Sequence, residues 1–96
     1  MVKIPSPFSF EWDEGNIDKN VTKHKVTNKE SEEIFLNRPL KIFEDPKHSK
    51  VEQRYVAYGM TDANRKLTIV FTTRKQKIRI ISARDQSKQE RIKYEA

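Results

Sequence analysis

Residues 67–84 read LTIVFTTRKQKIRIISAR, and their pattern is the clearest indication of the fold. In each half, apolar side chains recur at every second position, which is the period of a strand with one buried face. The recurring apolar residues are Leu67, Ile69 and Phe71 in the first half, and Ile78 and Ile80 in the second. The polar segment Arg74–Gln76 suits a tight turn, so Leu67–Thr73 and Lys77–Arg84 are predicted to form an antiparallel hairpin.

Three more strands are predicted before this hairpin. They cover Phe8–Trp12, Leu40–Glu44 and Gln53–Met60. The short connection Thr61–Lys66 suits a second antiparallel hairpin between the third of these strands and Leu67–Thr73. The C-terminal two thirds of the chain is therefore predicted to be mostly sheet.

Three helices are predicted from their N-terminal signals. The first begins at the N-cap candidate Asp13 and ends near His24. Its inward-facing residues, at i, i+4 and i+7, are predicted to be Ile17, Val21 and His24. Thr27 and Glu30 have the spacing of a capping box, which begins a second helix that runs to about Leu36. Ser87 and Glu90 form another capping box, at the start of a C-terminal helix.

The predicted order is β-α-α-β-β-β-β-α. Helices grouped at the ends of an antiparallel meander are typical of a small α+β sandwich. At 96 residues the chain is expected to be a single domain, residues 1–96, with a loose lead-in over residues 1–7.

Composition narrows the classes of function. The chain has no cysteine, which excludes disulfides and thiolate sites and suits a reducing cytoplasm. No apolar run is long enough for a membrane span or a signal sequence, so a cytoplasmic protein without membrane contact is expected. The pI near 9.7 favours an acidic partner such as RNA, DNA or an acidic protein.

Metal and cofactor chemistry are not expected. His24 and His48 lie in different contexts, and neither has a partner at metal-ligand spacing. Asp45 and His48 form a D-x-x-H pair, which is better explained as a solvated loop. The two glycines, Gly15 and Gly59, do not make a phosphate-binding loop.

The net charge of +6 is concentrated in residues 74–93. That segment contains eight Lys and Arg residues, opposed only by Asp85 and Glu90, so its charge equals that of the whole chain. A basic strand that leads into a basic helix is typical of a face that binds a polyanion. The alternative is a basic but passive surface.

The arginines suggest phosphate chemistry. The set consists of Arg54, Arg74, Arg79, Arg84 and Arg91. A guanidinium binds phosphate through two parallel hydrogen bonds and can stabilise the pentavalent phosphate formed during RNA cleavage without a metal. Tyr94 or His24 could take the proton of the attacking 2′-hydroxyl. The alternative is that these arginines form surface ion pairs with Glu52, Glu90 and Glu95, each contributing little.

A family resemblance covers the chain from about Phe10 to Tyr94. It is carried by Phe10-Glu11-Trp12-Asp13, Asn20, Lys23-His24, Val26, Thr27 with Glu30, Asp45-Pro46, Arg54, Gly59, Ile78-Arg79-Ile80-Ile81-Ser82-Ala83-Arg84, Glu90-Arg91 and Tyr94. In this order and at these spacings, the residues resemble those of the BrnT family of bacterial type II toxins.

The resemblance implies a small ribonuclease with a RelE-like fold. Such toxins cleave RNA, block translation and arrest growth. A co-expressed antitoxin silences them, here expected to be BrnA-like with a DNA-binding ribbon-helix-helix part. The complex would bind operator DNA through the antitoxin and repress its own operon.

The resemblance also implies site residues. The expected catalytic residues are Arg79, Arg84, Arg54 and Tyr94, with the arginines stabilising phosphate and Tyr94 transferring a proton. Among the matching positions, Arg91, Lys23 and His24 are expected to bind RNA, and the basic segment 74–93 adds Arg74, Lys77 and Lys88 to the expected RNA-binding residues.

The chain departs from the family pattern at three positions. Lys25 stands where the family commonly has Gly, Asn16 where it often has Lys, and Gln53 where it has an acidic residue. A lysine in the left-handed conformation that ends a helix costs about 1 kcal/mol. Two alternatives to an active toxin therefore stay open: a catalytically inactive module that binds RNA or antitoxin, and an interaction protein whose basic face serves an acidic antitoxin.

Overall fold

The computed structural model describes residues 9–45 and 52–96, and its elements follow the predicted order. The strands are β1 (Ser9–Phe10), β2 (Lys41–Glu44), β3 (Arg54–Met60), β4 (Lys66–Arg74) and β5 (Lys77–Asp85). The helices are α1 (Lys19–His24), α2 (Asn28–Glu33) and α3 (Lys88–Glu95). The α+β class is confirmed. The lead-in over residues 1–7 and the residue His48 lie outside the described residues.

The five strands form one sheet in the order β1-β5-β4-β3-β2. Strands β2 to β5 make the predicted antiparallel meander, with both predicted hairpins in place. Strand β1 pairs with β5 in parallel, so the sheet is mixed. Alternation of side chains predicts that a strand exists but not which neighbour it pairs with, so this pairing could not be foreseen.

One face of the sheet carries the hydrophobic core. Ile34 and Phe35, which follow α2 directly, are fully buried on it together with the apolar residues of the hairpin. The ring of Phe35 meets that of Phe71 edge-on, with 5.1 Å between centroids. A β-carbon at Gly59 would lie 2.9 Å from the Cβ of Ile34, so the strand can approach this segment closely because position 59 is a glycine.

The first helix differs from the prediction. It begins at Lys19 rather than at Asp13, and turns occupy residues 14–18. The expected inward face was wrong, because Ile17 and Val21 are 45% and 39% exposed. The buried residues are instead Asn16 and Asn20.

Backbone hydrogen bonding explains this inversion. Strand β1 is only two residues long, so the edge of β5 beyond Ile78 lacks a strand partner. Asn16 donates to the Ile80 carbonyl at 3.0 Å, and the amide oxygen of Asn20 accepts from the Ala83 N–H at 3.0 Å. Buried backbone groups must be paired, and these two side chains satisfy them where a strand would otherwise be needed.

Both predicted capping boxes are present, with the hydroxyls of Thr27 and Ser87 accepting from the backbone of Glu30 and Glu90. Helix α2 ends at Glu33, three residues before the predicted end. Lys25 adopts the left-handed conformation, with φ 57° and ψ 35°, and its N–H closes the end of α1. The left-handed turn between α1 and α2 is therefore formed here by a lysine.

A bulge in β5 determines which side chains share the second face of the sheet. Val70 pairs with Ser82 and Phe71 with Ile80, so Ile81 is an extra residue in β5. The extra residue reverses the alternation of the strand. As a result Arg79 and Arg84, five positions apart, both point to the face opposite the core.

Candidate functional site

The face opposite the core, called the outer face here, has basic residues at both ends. At one end the residues Arg54, Thr72 and Arg79 lie side by side across β3, β4 and β5. At the other end the row is Tyr58, Thr68 and Arg84. The two rows are four residues apart along β4, or about 13 Å at the rise of a strand.

A pocket of about 190 Å³ opens at the first end. Its lining includes four cationic side chains, Lys19, Arg54, Arg74 and Arg79, and one carboxylate, Glu52. The remaining lining residues are Gly15, Asn16, Ile80 and Ile81. The registers of β3 with β4 and of β4 with β5 bring three of the predicted arginines together. Helix α1 adds Lys19 to the same pocket. We call this the arginine pocket.

Two carboxylates hold Arg79 in the arginine pocket. Its guanidinium donates to Asp13 at 2.8 and 3.0 Å and to Glu11 at 3.0 Å, and its side chain is only 14% exposed. The hydrogen bond from Arg79 lowers the pKa of Asp13, while Asp13 raises the pKa of Arg79. A β-carbon at Gly15 would lie 2.9 Å from Nη2 of Arg79, so a larger residue there would displace the end of the Arg79 side chain. Arg79 is therefore permanently charged and fixed in orientation.

Arg74 connects Glu52 to the ion pairs that Arg79 forms with Glu11 and Asp13. It donates to both oxygens of Glu52, at 3.1 and 3.2 Å, and lies 3.8 Å from Glu11. Glu52, Arg74, Glu11, Arg79 and Asp13 thus form a chain of alternating charges along one edge of the pocket. Such a network keeps each guanidinium in place and leaves its charge near the open volume.

Arg84 lies in a different environment at the second end of the outer face. It forms a two-bond ion pair with Glu90, at 2.7 and 2.8 Å, and Thr68 donates to the same carboxylate at 2.9 Å. The Arg84 hydrogen bond is the main reason that the pKa of Glu90 falls to about 2. This pair attaches α3 to the sheet.

Tyr94 is placed unfavourably for the predicted proton transfer. The residue is 3% exposed, and its hydroxyl donates to the Pro39 carbonyl at 2.6 Å. Burial raises the pKa of this phenol, which makes it a weaker acid. The geometry supports a packing role for Tyr94, which holds α3 against the segment that precedes β2.

The other predicted RNA-binding residues are spread over the surface. Lys77 is exposed and pairs in register with Arg74 beside the arginine pocket. Lys88 and Arg91 are exposed on α3. Lys23 and His24 end α1, where the His24 carbonyl accepts from Arg65 at 3.4 Å. The structure therefore groups Arg54, Arg74, Arg79 and Lys77 and separates the rest from them.

The sequence reasoning missed Lys19, Glu11, Asp13 and Glu52 as site residues. The first strand carried a usable signal, because Glu11 and Asp13 alternate with Phe10 and Trp12 and so face one side. That both carboxylates meet Arg79 could not be known without the parallel pairing of β1 with β5. The N–H of Glu11 continues that pairing by donating to the Ile78 carbonyl at 2.9 Å.

Residues 9–45 and 52–96 contain no cluster of three or more His, Asp or Glu that could hold a metal ion. None of the helices in these residues is long and apolar enough to cross a membrane.

Comparison with known families identifies the chain. The model of the family described as "Ribonuclease toxin, BrnT, of type II toxin-antitoxin system" matches residues 12–90, which is well over half of the chain. The match spans all four cationic residues of the arginine pocket. No curated protein sequence matches the chain. The chain thus belongs to the BrnT family, the ribonuclease toxins of type II toxin–antitoxin systems.

Proposed function

We propose that this protein is a metal-independent endoribonuclease toxin that cleaves RNA at the arginine pocket through attack of a 2′-hydroxyl. The observation that carries the proposal is the convergence of Lys19, Arg54, Arg74 and Arg79 on one open pocket. Four cations around a single volume fit a phosphodiester, which carries one charge in the ground state and gains another as the 2′-oxygen attacks.

The pocket supports stabilisation of this charge. Arg79 is held rigidly by Glu11 and Asp13, so its donors need little reorganisation when charge develops on the phosphate. Asp13 is 54% exposed at its side chain, and an RNA phosphate can replace one of its hydrogen bonds to Arg79. Arg54 faces Arg79 across Thr72 and supplies the second guanidinium.

Membership of the family supports a proposal for the biological role. We propose that RNA cleavage by this protein inhibits translation in the cytoplasm, and that a cognate BrnA-like antitoxin neutralises it. That antitoxin would carry a ribbon-helix-helix part and bring the complex to operator DNA. No cofactor is required in this scheme, because the arginines supply the electrostatic stabilisation.

The test combines growth with cleavage in vitro. Wild type, Arg54→Gln, Arg79→Gln, Arg84→Gln and the control Arg38→Gln are expressed from a tightly controlled promoter, and the purified proteins are incubated with RNA in EDTA. Arg38 is exposed, and its hydrogen bonds in the described structure go to nearby backbone carbonyls. We expect growth arrest and RNA cleavage from wild type and Arg38→Gln, and at least a 100-fold loss of cleavage for the variants at 54 and 79.

The Arg84→Gln variant tests at which end of the outer face the active site lies. If only this variant loses cleavage while remaining folded, the active site lies beside α3 and the arginine pocket is not the site. If wild type binds RNA but leaves it intact in EDTA and in Mg²⁺, the ribonuclease proposal fails.

A catalytically inactive module that binds RNA or antitoxin is the second candidate. It is favoured by the observation that Arg79 and Arg84 are both already paired with carboxylates. For such a module the same experiment gives salt-dependent RNA binding with neither arrest nor cleavage.

A further inference from the structure

A proton acceptor is the missing part of the arginine pocket. Cleavage through a 2′-hydroxyl requires a base within about 3 Å of that hydroxyl, whereas Lys19 and the three arginines are cations that cannot accept its proton. Of the predicted candidates, Tyr94 is buried against the Pro39 carbonyl, and His24 ends α1 beside Arg65 rather than at the pocket. The base must therefore come from another side chain.

Three carboxylates belong to the charged network around the pocket, and they are not equivalent. Asp13 is bound by Arg79 through both oxygens, which lowers its pKa, and it is not part of the pocket lining. Glu11 bridges Arg79 and Arg74 through one oxygen and is not part of the pocket lining. Among the described residues that line the pocket, Glu52 is the one that can accept a proton at its side chain.

From this geometry we propose that Glu52 is the general base of the ribonuclease reaction, an inference that rests on the function proposed above. Arg74 grips the Glu52 carboxylate with two hydrogen bonds, at 3.1 and 3.2 Å, and each oxygen keeps a second lone pair for a substrate hydroxyl. The side chain is 30% exposed, so substrate can reach it. Arg74 thus positions the base and also contributes charge to the same pocket.

The chemical step balances without another reactant. Glu52 takes the proton of the 2′-hydroxyl, the 2′-oxygen forms a bond to phosphorus, and the bond from phosphorus to the 5′-oxygen breaks. The electron pair of that bond stays on the 5′-oxygen, which takes a proton from a solvent water. The hydroxide so formed recovers the proton from Glu52. The products are a 2′,3′-cyclic phosphate and a free 5′-hydroxyl.

The experiment measures single-turnover cleavage of an RNA oligonucleotide across pH for wild type, Glu52→Gln, Glu52→Asp and the control Glu44→Gln. Binding is measured in parallel with the same oligonucleotide carrying 2′-O-methyl groups, which has no nucleophile. Glu44 is an exposed glutamate on β2 outside the pocket lining. Loss of a general base typically lowers the rate by about 10²- to 10⁴-fold. We expect that loss for Glu52→Gln, partial recovery for Glu52→Asp, and wild-type rates for Glu44→Gln.

Two further readouts separate a base from a residue that only positions Arg74. The wild-type rate should rise with pH along an acid limb that Glu52→Gln lacks, while affinity for the methylated RNA stays within about 3-fold, since one exposed contact is altered. If Glu52 acts only through Arg74, Arg74→Gln and the double variant will match Glu52→Gln and the acid limb will persist. That result overturns the inference, as does full activity of folded Glu52→Gln. If wild type itself cleaves nothing, the proposed function has failed, and the base assignment fails with it.

Discussion

At the residue scale, the pairing of Glu90 controls both a helix end and a pH dependence. Its carboxylate accepts hydrogen bonds from Arg84, Thr68 and the Ser87 N–H. The strong pairing with Arg84 holds the pKa of Glu90 at about 2, against an ordinary value of 4.5. Between these two pH values the unfolded chain binds a proton that the folded chain does not, so stability rises with pH in this window.

We predict that the free energy of unfolding declines as pH falls from 4.5 to about 2, and that Glu90→Gln removes part of this decline. At full strength the shift is equivalent to about 3 kcal/mol, which screening around the half-exposed Arg84 reduces to roughly 1–2 kcal/mol. Urea unfolding from pH 2 to 7 would measure it. The gap between wild type and Glu90→Gln should be largest above pH 4.5 and close towards pH 2. A constant gap at all pH values would contradict the assignment, and Glu44→Gln, which changes an exposed glutamate on β2, serves as the control.

At the element scale, Arg65 holds three elements together. It lies in the hairpin between β3 and β4, and its guanidinium donates to Asp85 at the end of β5 at 2.7 Å. It also donates to Glu30 of α2 at 3.2 Å and to the Lys25 carbonyl at the end of α1 at 2.9 Å. The left-handed turn at Lys25 is therefore supported from outside, so this chain keeps the join of the two helices without a glycine.

We predict that Arg65→Met destabilises the protein by about 2 kcal/mol, because charge-assisted hydrogen bonds to two carboxylates and a helix end are lost together. Chemical denaturation at pH 7 would measure the change. Arg38→Met is the matched control, since an exposed arginine bonded to neighbouring carbonyls should change stability by no more than about 0.5 kcal/mol. Equal losses for the two variants would show that Arg65 has no special role in joining the elements.

At the scale of the whole molecule, where the net charge is +6, we predict that the affinity for RNA depends on salt through the cations of the arginine pocket. If the four cations of the arginine pocket neutralise phosphates of a single strand, log K should fall with log salt with a slope of about −3, or about 50-fold between 50 and 200 mM. Titrations of 2′-O-methyl RNA would give this slope. Arg74→Gln should reduce it by about 0.7, whereas Lys29→Gln, an exposed charge on α2, should leave it unchanged. Equal effects of the two variants would indicate diffuse attraction without a localised site.

Much of the fold could be predicted because its signals are local. The alternation in Leu67–Thr73 and the two capping boxes depend on side chains a few residues apart, so they are visible in the sequence. The buried face of the first helix was predicted wrongly because Ile17 and Val21 have the spacing of an apolar face. In the structure the buried residues are Asn16 and Asn20. Those asparagines are buried to satisfy the edge of β5, and that need exists only after the sheet has formed.

The candidate site likewise combines features that local sequence signals predict with features that depend on long-range contacts. Local patterns were enough to recognise the family and the basic character of residues 74–93, and to suggest arginine for phosphate chemistry. The fold was needed to bring Arg54, Arg74 and Arg79 together with Lys19 and Glu52 at one pocket, and to pair Arg84 with Glu90 of α3. The physical reason is register: a bulge at Ile81 and the parallel pairing of β1 set which side chains meet, and both arise from long-range backbone hydrogen bonds.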